Sequence, residues 1–379
     1  MRASRRRLLL ALACPWGTRA ATAVAGPAAA VEPVHRGREL QFPLDHGAHI
    51  GARTEWWYVT GWLGEADAPS HGFQITFFRS RTGLAEALPG RLAPRQILFA
   101  HAAITDLAKG GGRTHRHAER IARWNGEDAS RGQPQAAGAA HDDARVWIGH
   151  WQLRREHDAW QAGAQEAAAP EPWALRLRLA PTQPPLLQGE RGFSRKGPQE
   201  AQASHYLSIP QLAAQATVRL GPRRVEATGR AWLDHEWSDA LLAPEAVGWD
   251  WIGINLFDGR ALTAFQIRRA DGSALWAGGS LRESGSADAR AFAPPQVRWT
   301  PERRWASPAT GAAYPTAWRI LTPAGSMHVR ALLDAQELDA RRSTGTVYWE
   351  GLSELLDAGG RRIGLGYLEM TGYAGRLRL

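Results

Sequence analysis

The strongest constraint on the fold is an internal repeat that pairs two aromatic segments roughly 190 residues apart. Aligning Leu63 with Leu256 places Trp56 opposite Trp249 and Tyr58 opposite Trp251. Two further pairs of segments then correspond: Phe73-Gln74-Ile75-Thr76 with Phe265-Gln266-Ile267-Arg268, and Ala231-Trp232-Leu233-Asp234 with Gly366-Tyr367-Leu368-Glu369. A repeat of this kind indicates two domains of one architecture.

Both halves show the period-two alternation of β-strands. Strands are predicted over residues 55–63, 72–79 and 97–101, separated by turn residues. Many short strands with turn signals are typical of barrels, and a barrel of about eight strands can hold one small ligand. The sequence therefore predicts an all-β protein of two consecutive β-barrel domains packed together, residues 31–240 and 241–379, with the boundary where the pattern breaks near residues 238–247.

Four segments resist a strand interpretation. Residues 126–145 and 161–172 are rich in Ala, Gly, Pro and Gln without periodicity, which predicts long surface loops. The best helical candidate is the short piece 209–216. His115 and His117 follow Gly110-Gly111-Gly112 and are expected in a solvated loop.

Residues 1–30 are typical of an export signal. A basic stretch, Arg2 to Arg7, precedes an apolar stretch and small-residue cleavage sites. The run from Ser4 to Leu9 is similar to a twin-arginine signal. We therefore expect an exported, periplasmic protein. The single cysteine, Cys14, lies in this segment, and a lipoprotein anchor at Cys14 remains an alternative.

The net charge of +9 is weak evidence for nucleic-acid binding. Five of the arginines belong to residues 1–30, and removing that segment leaves +4. The remaining basic residues are scattered and form no stripe, so we expect no nucleic-acid partner. The 18 tryptophans instead suit a large apolar interior or pocket. Phosphate-cradling glycine loops and nucleophile elbows are missing from the sequence, so no cofactor is expected.

A set of longer motifs resembles a known family. The motifs are Glu55-Trp56-Trp57-Tyr58, Gly72-Phe73-Gln74-Ile75-Thr76-Phe77-Phe78-Arg79, Trp232-Leu233-Asp234-His235-Glu236-Trp237, Gly248-Trp249-Asp250-Trp251 and Gly366-Tyr367-Leu368-Glu369-Met370-Thr371-Gly372-Tyr373. The sequence is similar, over residues 40–379, to the AttH-like family of predicted secreted hydrolases, which includes the carotenoid 1,2-hydratases of the CrtC type. The resemblance implies two lipocalin-like barrels, export in bacteria and a link to an inner-membrane transporter as partner. It does not fix a reaction.

The same resemblance implies a catalytic role for His235 and Trp237. Strand alternation places these two side chains on one face and those of Asp234 and Glu236 on the other. Adding water to an alkene requires a proton for carbon and a stabilised cation, tasks that suit a protonated acid beside an indole. The family's tyrosine and aspartate find no clear counterpart here.

Asp250, between Trp249 and Trp251, is the best candidate for the acid; the alternative is a structural role, as an exposed strand residue or in a salt bridge. For Asp234 and Glu236 the alternative to a functional role is binding of an arginine or backbone groups at the domain boundary.

The residues expected to bind substrate are those that the motifs bring near the barrel mouths: Glu55, Trp56, Tyr58, His101, Asp234, Trp249 and Trp251. A metal site would need His101, His235 and a carboxylate to converge, and the sequence around these residues shows no ligand spacing that supports it. His115 and His117 have the spacing of metal ligands on a strand, but the solvated loop is the favoured interpretation there, so no metal is expected.

Three functions remain open. The first is an exported hydratase or hydrolase related to the carotenoid 1,2-hydratases, a lyase by reaction type, that adds water to an apolar isoprenoid or lipid. The second is a non-catalytic periplasmic carrier of an apolar small molecule, associated with a transporter. In the third, the tryptophans are ordinary core and the fold is an interaction module. Oligomeric state is not indicated by the sequence.

Overall fold

The computed structural model describes residues 33–84, 86, 93–107, 112–128 and 135–377. The expected export segment, with Cys14, lies outside these residues. Within them, no helix is long and apolar enough to cross a membrane.

The described residues form 23 β-strands and two short 3-10 turns, Leu44–His46 and Pro294–Gln296. The strands of the first sheet are β1 (Thr54–Gly64), β2 (Pro69–Arg81), β3 (Gln96–Asp106), β4 (Thr114–Trp124), β5 (Ala137–Ala139), β6 (Arg145–Ile148), β7 (Trp151–Glu156), β8 (Ala159–Glu166), β9 (Trp173–Ala180), β10 (Leu186–Leu187), β11 (Phe193–Arg195), β12 (Ala203–Leu220) and β13 (Arg223–Ser238). Those of the second sheet are β14 (Gly248–Leu256), β15 (Ala261–Arg268), β16 (Ala274–Arg282), β17 (Ala289–Phe292), β18 (Arg298–Ala306), β19 (Ala313–Thr322), β20 (Gly325–Ala331), β21 (Glu337–Ala340), β22 (Thr346–Leu356) and β23 (Arg362–Met370).

The first sheet curls into a nearly closed barrel. Its strand order is β4-β3-β2-β1-β13-β12-β9-β8-β7-β6-β5, with every pair antiparallel. The two ends of this order approach each other, since β4 also contacts β5 and β6. Closure removes exposed strand edges and creates a continuous interior. The two-barrel, all-β prediction is confirmed.

The second sheet repeats the central part of the first. In the first sheet β1 lies between β2 and β13, and in the second β14 lies between β15 and β23. These are the strands that the internal repeat pairs. The order of the second sheet is β17-β16-β15-β14-β23-β22-β20-β19-β18.

Alternating side chains give each barrel its own core, and a third cluster fills the contact between them. The first core includes Trp57, Trp151 and Trp160, and the second includes Trp318 and Trp349. The third cluster joins Tyr58, Trp62 and Trp232 of the first barrel to Trp251, Phe265, Leu352 and Tyr367 of the second. Burial of this much aromatic surface holds the barrels together.

Three local expectations are wrong. The helical candidate 209–216 lies inside β12, where a bulge between Ile209 and Leu212 disturbs the strand alternation. The expected loops contain strands β5 and β8, whose inward positions are filled by alanines that give no clear periodic signal. His115 and His117 lie on β4 rather than in a solvated loop.

Gly229 marks a close approach between β13 and β1. A Cβ atom at this position would lie 1.9 Å from the Trp62 carbonyl oxygen, which is backbone and cannot move aside. We expect Gly229→Ala to destabilise the protein by about 1–3 kcal/mol, since it forces the two strands apart. Urea unfolding measures the change. Gly163→Ala on β8 is the control, because its added Cβ would meet nothing closer than 3.6 Å; equal losses for both variants would contradict the steric argument.

Candidate active site between the two barrels

A cavity of about 250 Å³ lies between the two sheets. We call it the inter-barrel pocket. Its walls are Thr54, Glu55, Trp56, Tyr58, Thr76, Phe78, Arg79, Ser80, Phe99, His101, Lys196, Tyr206, Asp234, Glu236, Leu241, Trp249, Trp251, Phe265, Ile267, Ser343, Thr344, Thr346, Tyr348, Glu350, Glu369, Thr371 and Leu377. All seven residues expected to bind substrate are among them, although the Glu55 carboxylate is bound by Arg79, His49 and His235 behind the sheet. The pocket therefore combines aromatic walls with several buried carboxyl groups.

The alternation on β13 distributes its side chains as predicted. Asp234 and Glu236 line the pocket, where the strand register sets them beside Tyr58 and Trp56 of β1. His235 and Trp237 lie on the opposite face, inside the first barrel. There the His235 ring stacks on Trp57, with ring centroids 4.8 Å apart. The structure thus separates the two predicted catalytic residues from the pocket by the thickness of the sheet.

Alternation on β14 gives the same division in the second barrel. Trp249 and Trp251 line the pocket, and Asp250 between them is fully buried behind the sheet. Asp250 forms a 2.8 Å salt bridge with Arg268 and accepts hydrogen bonds from Gln266 (2.7 Å) and Tyr373 (2.9 Å). Burial raises the pKa of its carboxyl group, while Arg268 opposes the shift. Its environment is therefore a salt bridge, one of the two structural alternatives that the sequence left open, and the other, an exposed strand position, is excluded by its burial. Asp250 does not meet His235.

The acids that do line the pocket in the second barrel are Glu350 and Glu369. They are direct cross-strand neighbours on β22 and β23, so both side chains lie on one face. Burial, reinforced by the charges of Asp234 and Glu236, raises the pKa of Glu369 to about 8. Burial and the neighbouring Glu369 hold the pKa of Glu350 well above its usual range. Two adjacent carboxyl groups in an apolar site cannot both ionise easily, so the pair retains a proton at neutral pH.

The first barrel adds a second carboxyl pair. Asp234 accepts hydrogen bonds from Tyr206 (2.9 Å), Ser208 (2.5 Å) and Trp232 (2.7 Å), and burial raises its pKa to about 7. Glu236 binds the Lys196 ammonium group at 2.9 Å. The expected arginine or backbone partner of these acids is thus replaced by hydroxyl, indole and lysine groups. The Asp234 carboxyl group therefore has a pKa near neutrality, and the neighbouring Glu236 carboxylate has a lysine counter-ion.

A hydrogen-bonded chain leads from the pocket wall towards the surface. The Tyr348 hydroxyl is 2.8 Å from His101 Nδ1, and His101 Nε2 is 2.8 Å from Ser343 Oγ. Ser343 donates its hydroxyl proton to Glu119 at 2.5 Å. His101 must then donate a hydrogen bond from Nε2–H to the Ser343 oxygen and accept a hydrogen bond from the Tyr348 hydroxyl at Nδ1. Burial lowers the pKa of His101 to about 3, so the ring is neutral.

A polar cluster of His49, Glu55 and His235 lies behind β1 and β13. Its potential ligand atoms all fall within 4.8 Å of one another. Arg79, however, already binds Glu55 at 2.7 Å, and His49 lies between Glu55 (2.7 Å) and Asp45 (2.8 Å). The charges of the Glu55 and Asp45 carboxylates are therefore neutralised by the Arg79 guanidinium group and the His49 imidazole. Burial lowers the pKa of His49, but its hydrogen bonds to the two carboxylates outweigh this effect and raise it. The cluster is arranged as a salt-bridge network, and a cation would have to displace it.

Several polar residues of the pocket were not predicted from the sequence, including Glu350, Tyr348, Glu369 and Lys196. Glu350 and Tyr348 have no distinguishing motif, because their role depends on pairing with other strands. Glu369 lies in the family motif and in the internal repeat opposite Asp234, which was a usable signal. Lys196 was marked only by rarity, as one of two lysines in the chain.

Comparison with known proteins agrees with this architecture. A family model described as AttH-like matches residues 33–373. A solved structure from Nitrosomonas europaea, assigned as an AttH, is 43% identical with a TM-score of 0.77, covering 90% of this chain and 99% of that one. The structure of kievitone hydratase from Nectria haematococca has a TM-score of 0.64 at 11% identity, covering 93% of this chain and 98% of that one, and shows the same fold. A search of curated proteins finds no match. The chain belongs to the AttH-like family.

Proposed function

We propose that this protein is a hydratase that adds water to an alkene of an apolar, isoprenoid-type ligand bound in the inter-barrel pocket. The observation that carries the proposal is the cross-strand pair Glu350 and Glu369, which lies buried beside the indole groups of the pocket, where burial raises the pKa of both carboxyl groups. The fold shared with kievitone hydratase supports it, since that fold accommodates a hydratase.

In the first step, protonated Glu369 donates its proton to one alkene carbon. A general acid works best when its pKa lies near the working pH, because it is then both protonated and able to release the proton. The pKa of about 8 meets this condition. Glu350 keeps the pair protonated, since two neighbouring carboxylates would repel each other.

The carbocation formed on the neighbouring carbon needs stabilisation without a nucleophilic side chain. Trp56, Trp249 and Trp251 line the pocket and present indole groups to this region. Aromatic faces attract cations by about 0.5–2 kcal/mol each.

Water then adds to the cation and loses a proton. Asp234, with its pKa of about 7, is ionised in a large fraction of molecules at neutral pH and accepts this proton. Exchange with solvent returns the proton to Glu369, so the net reaction is alkene plus water giving a tertiary alcohol.

The pocket size limits the ligand. Its volume of about 250 Å³ is below the ~300–1,000 Å³ of typical small-molecule sites. The pocket accordingly encloses the prenyl end of a ligand, with the remainder extending outwards.

The test measures water incorporation directly. The purified protein is incubated with prenylated phenols and acyclic carotenoids in water enriched in ¹⁸O, and the products are analysed by mass spectrometry. We expect an adduct carrying one ¹⁸O, and a rate lower by about 10²–10⁴-fold in Glu369→Gln, the range for loss of a general acid. Glu226→Gln, at an exposed position of β13, is the matched control and retains full rate.

If the ligands bind tightly but are recovered without ¹⁸O, the hydratase proposal is overturned, and a non-catalytic carrier of an apolar ligand is favoured. A catalytic role for His235, Trp237 and Asp250 stays a prediction. In this proposal His235 and Trp237 act from behind the sheet by holding Glu55 and the strands that carry the pocket.

A further inference from the structure

A second cavity, of about 440 Å³, lies in the second barrel on the face opposite the inter-barrel pocket. Gln266 and Arg268 line it, whereas Phe265 and Ile267, which alternate with them on β15, line the inter-barrel pocket. The two cavities are therefore separated by the sheet. Nothing in the proposed hydration uses the second one.

The charge of this cavity is predominantly positive. Three guanidinium groups line it, those of Arg268, Arg304 and Arg376. The facing acids are Asp250, whose carboxyl group is already bound by Arg268, and Asp271 in the turn after β15. The cations outnumber the acids, so the cavity favours an anion.

Each of the three arginines contacts a backbone carbonyl oxygen, and Arg268 is also buried. Arg268 lies 3.9 Å over the Tyr373 ring and binds the Thr371 carbonyl oxygen, and Arg376 binds the Pro244 carbonyl oxygen. Arg304 reaches the Ala313 carbonyl oxygen at 3.3 Å. Arg268, held by several contacts, therefore loses little conformational entropy when a ligand binds beside it.

Two indole groups complete the wall. Trp299 and Trp318 both line the cavity, and the buried Nε1 atom of each lacks an acceptor among the described residues. Their rings meet edge to face, with centroids 5.4 Å apart at 89°. In such a pair only one ring can point its edge at the other's face, so at least one N–H is left to bind another group. Trp318 is only 3% exposed, so its N–H has little access to solvent outside the cavity.

We propose that the second-barrel cavity binds an organic anion with an acidic group on an aromatic body. The acidic group is held by Arg304 and an indole N–H, and the body packs on Trp299, Trp318 and Tyr373. This site is independent of the hydration proposed above.

The test uses two fluorescent probes that share one body. 8-Anilino-1-naphthalenesulfonate carries the acid, and N-phenyl-1-naphthylamine is its neutral analogue. We expect the sulfonate to bind the full-length protein at least ~10-fold more tightly than the amine, and added NaCl to weaken it. Arg304→Gln should weaken sulfonate binding by ~10-fold and leave amine binding unchanged. Trp318→Phe removes the N–H as well as part of the aromatic wall, so it should weaken sulfonate binding by ~10-fold and amine binding by a smaller factor.

Arg319→Gln is the matched control, because Arg319 neighbours Trp318 on β19 but is exposed outside the cavity. It should bind both probes as the wild type does. Circular dichroism and thermal unfolding verify that each variant is folded. Equal affinity for the two probes, or sulfonate binding that both cavity variants leave intact, would overturn the proposal.

Discussion

Replacing Glu55 by methionine is expected to destabilise the protein by about 3–5 kcal/mol, the usual cost of breaking a buried ion pair. Arg79 is 1% exposed, and its Nε atom lies 2.7 Å from the Glu55 carboxylate. The same carboxylate also binds His235 at 3.0 Å and the His49 ring at 2.7 Å. Without Glu55 the guanidinium charge stays buried and uncompensated, and two imidazoles lose a partner.

Urea unfolding followed by tryptophan fluorescence measures this loss. The double variant Glu55→Met with Arg79→Met is expected to be more stable than Glu55→Met alone, because it removes the unpaired charge together with its partner. Glu226→Ala serves as the control for an exposed pair, since Glu226 binds Arg224 on the solvent side of β13. A Glu55→Met variant as stable as this control would show that the cluster does not hold β1 against β13.

The second large effect concerns Glu369 and alkaline pH. At pH 9 we expect the free energy of unfolding of Glu369→Gln to be about 2–4 kcal/mol higher than that of the wild type. At pH 5 the two proteins should differ little, because Glu369 is then protonated and glutamine has nearly the same shape and no charge.

The variant is the more stable protein at alkaline pH because the pKa of Glu369 is raised on folding. Burial raises the pKa of Glu369 from 4.5 in the unfolded chain to about 8 in the folded protein. A raised pKa contributes stability that is fully present below pH 4.5 and is lost as the pH rises through 8. The wild type must therefore bury a carboxylate at pH 9, and the variant need not.

Unfolding titrations at pH 5 and pH 9 measure both values, with Glu226→Gln as the control that should follow the wild type. A stability difference that is the same at both pH values would argue against a raised pKa at Glu369. Together with the turnover experiment, the prediction is that one substitution removes activity while it stabilises the fold, as is common where an active site stores unfavourable burial.

The sequence by itself determined the all-β fold and the face of the sheet on which each side chain of a strand lies. Period-two alternation predicted which neighbouring side chains lie on opposite faces of a strand. It correctly placed Asp234 and Glu236 on the face opposite His235 and Trp237. The repeat of Trp56 in Trp249 identified the strands that line the pocket. These properties are local, since the pleat of a strand fixes them whatever the strand pairs with.

Only the tertiary structure decided which polar groups meet. Glu350 and Glu369 lie together because β22 pairs with β23 in one register, and a shift of one residue would turn either side chain away. Lys196 reaches Glu236 from the position directly after β11, and Tyr348 reaches His101 across the contact between the barrels. The acid–base chemistry follows from burial at that contact, which raises the carboxyl pKa values and which no local pattern of residues encodes.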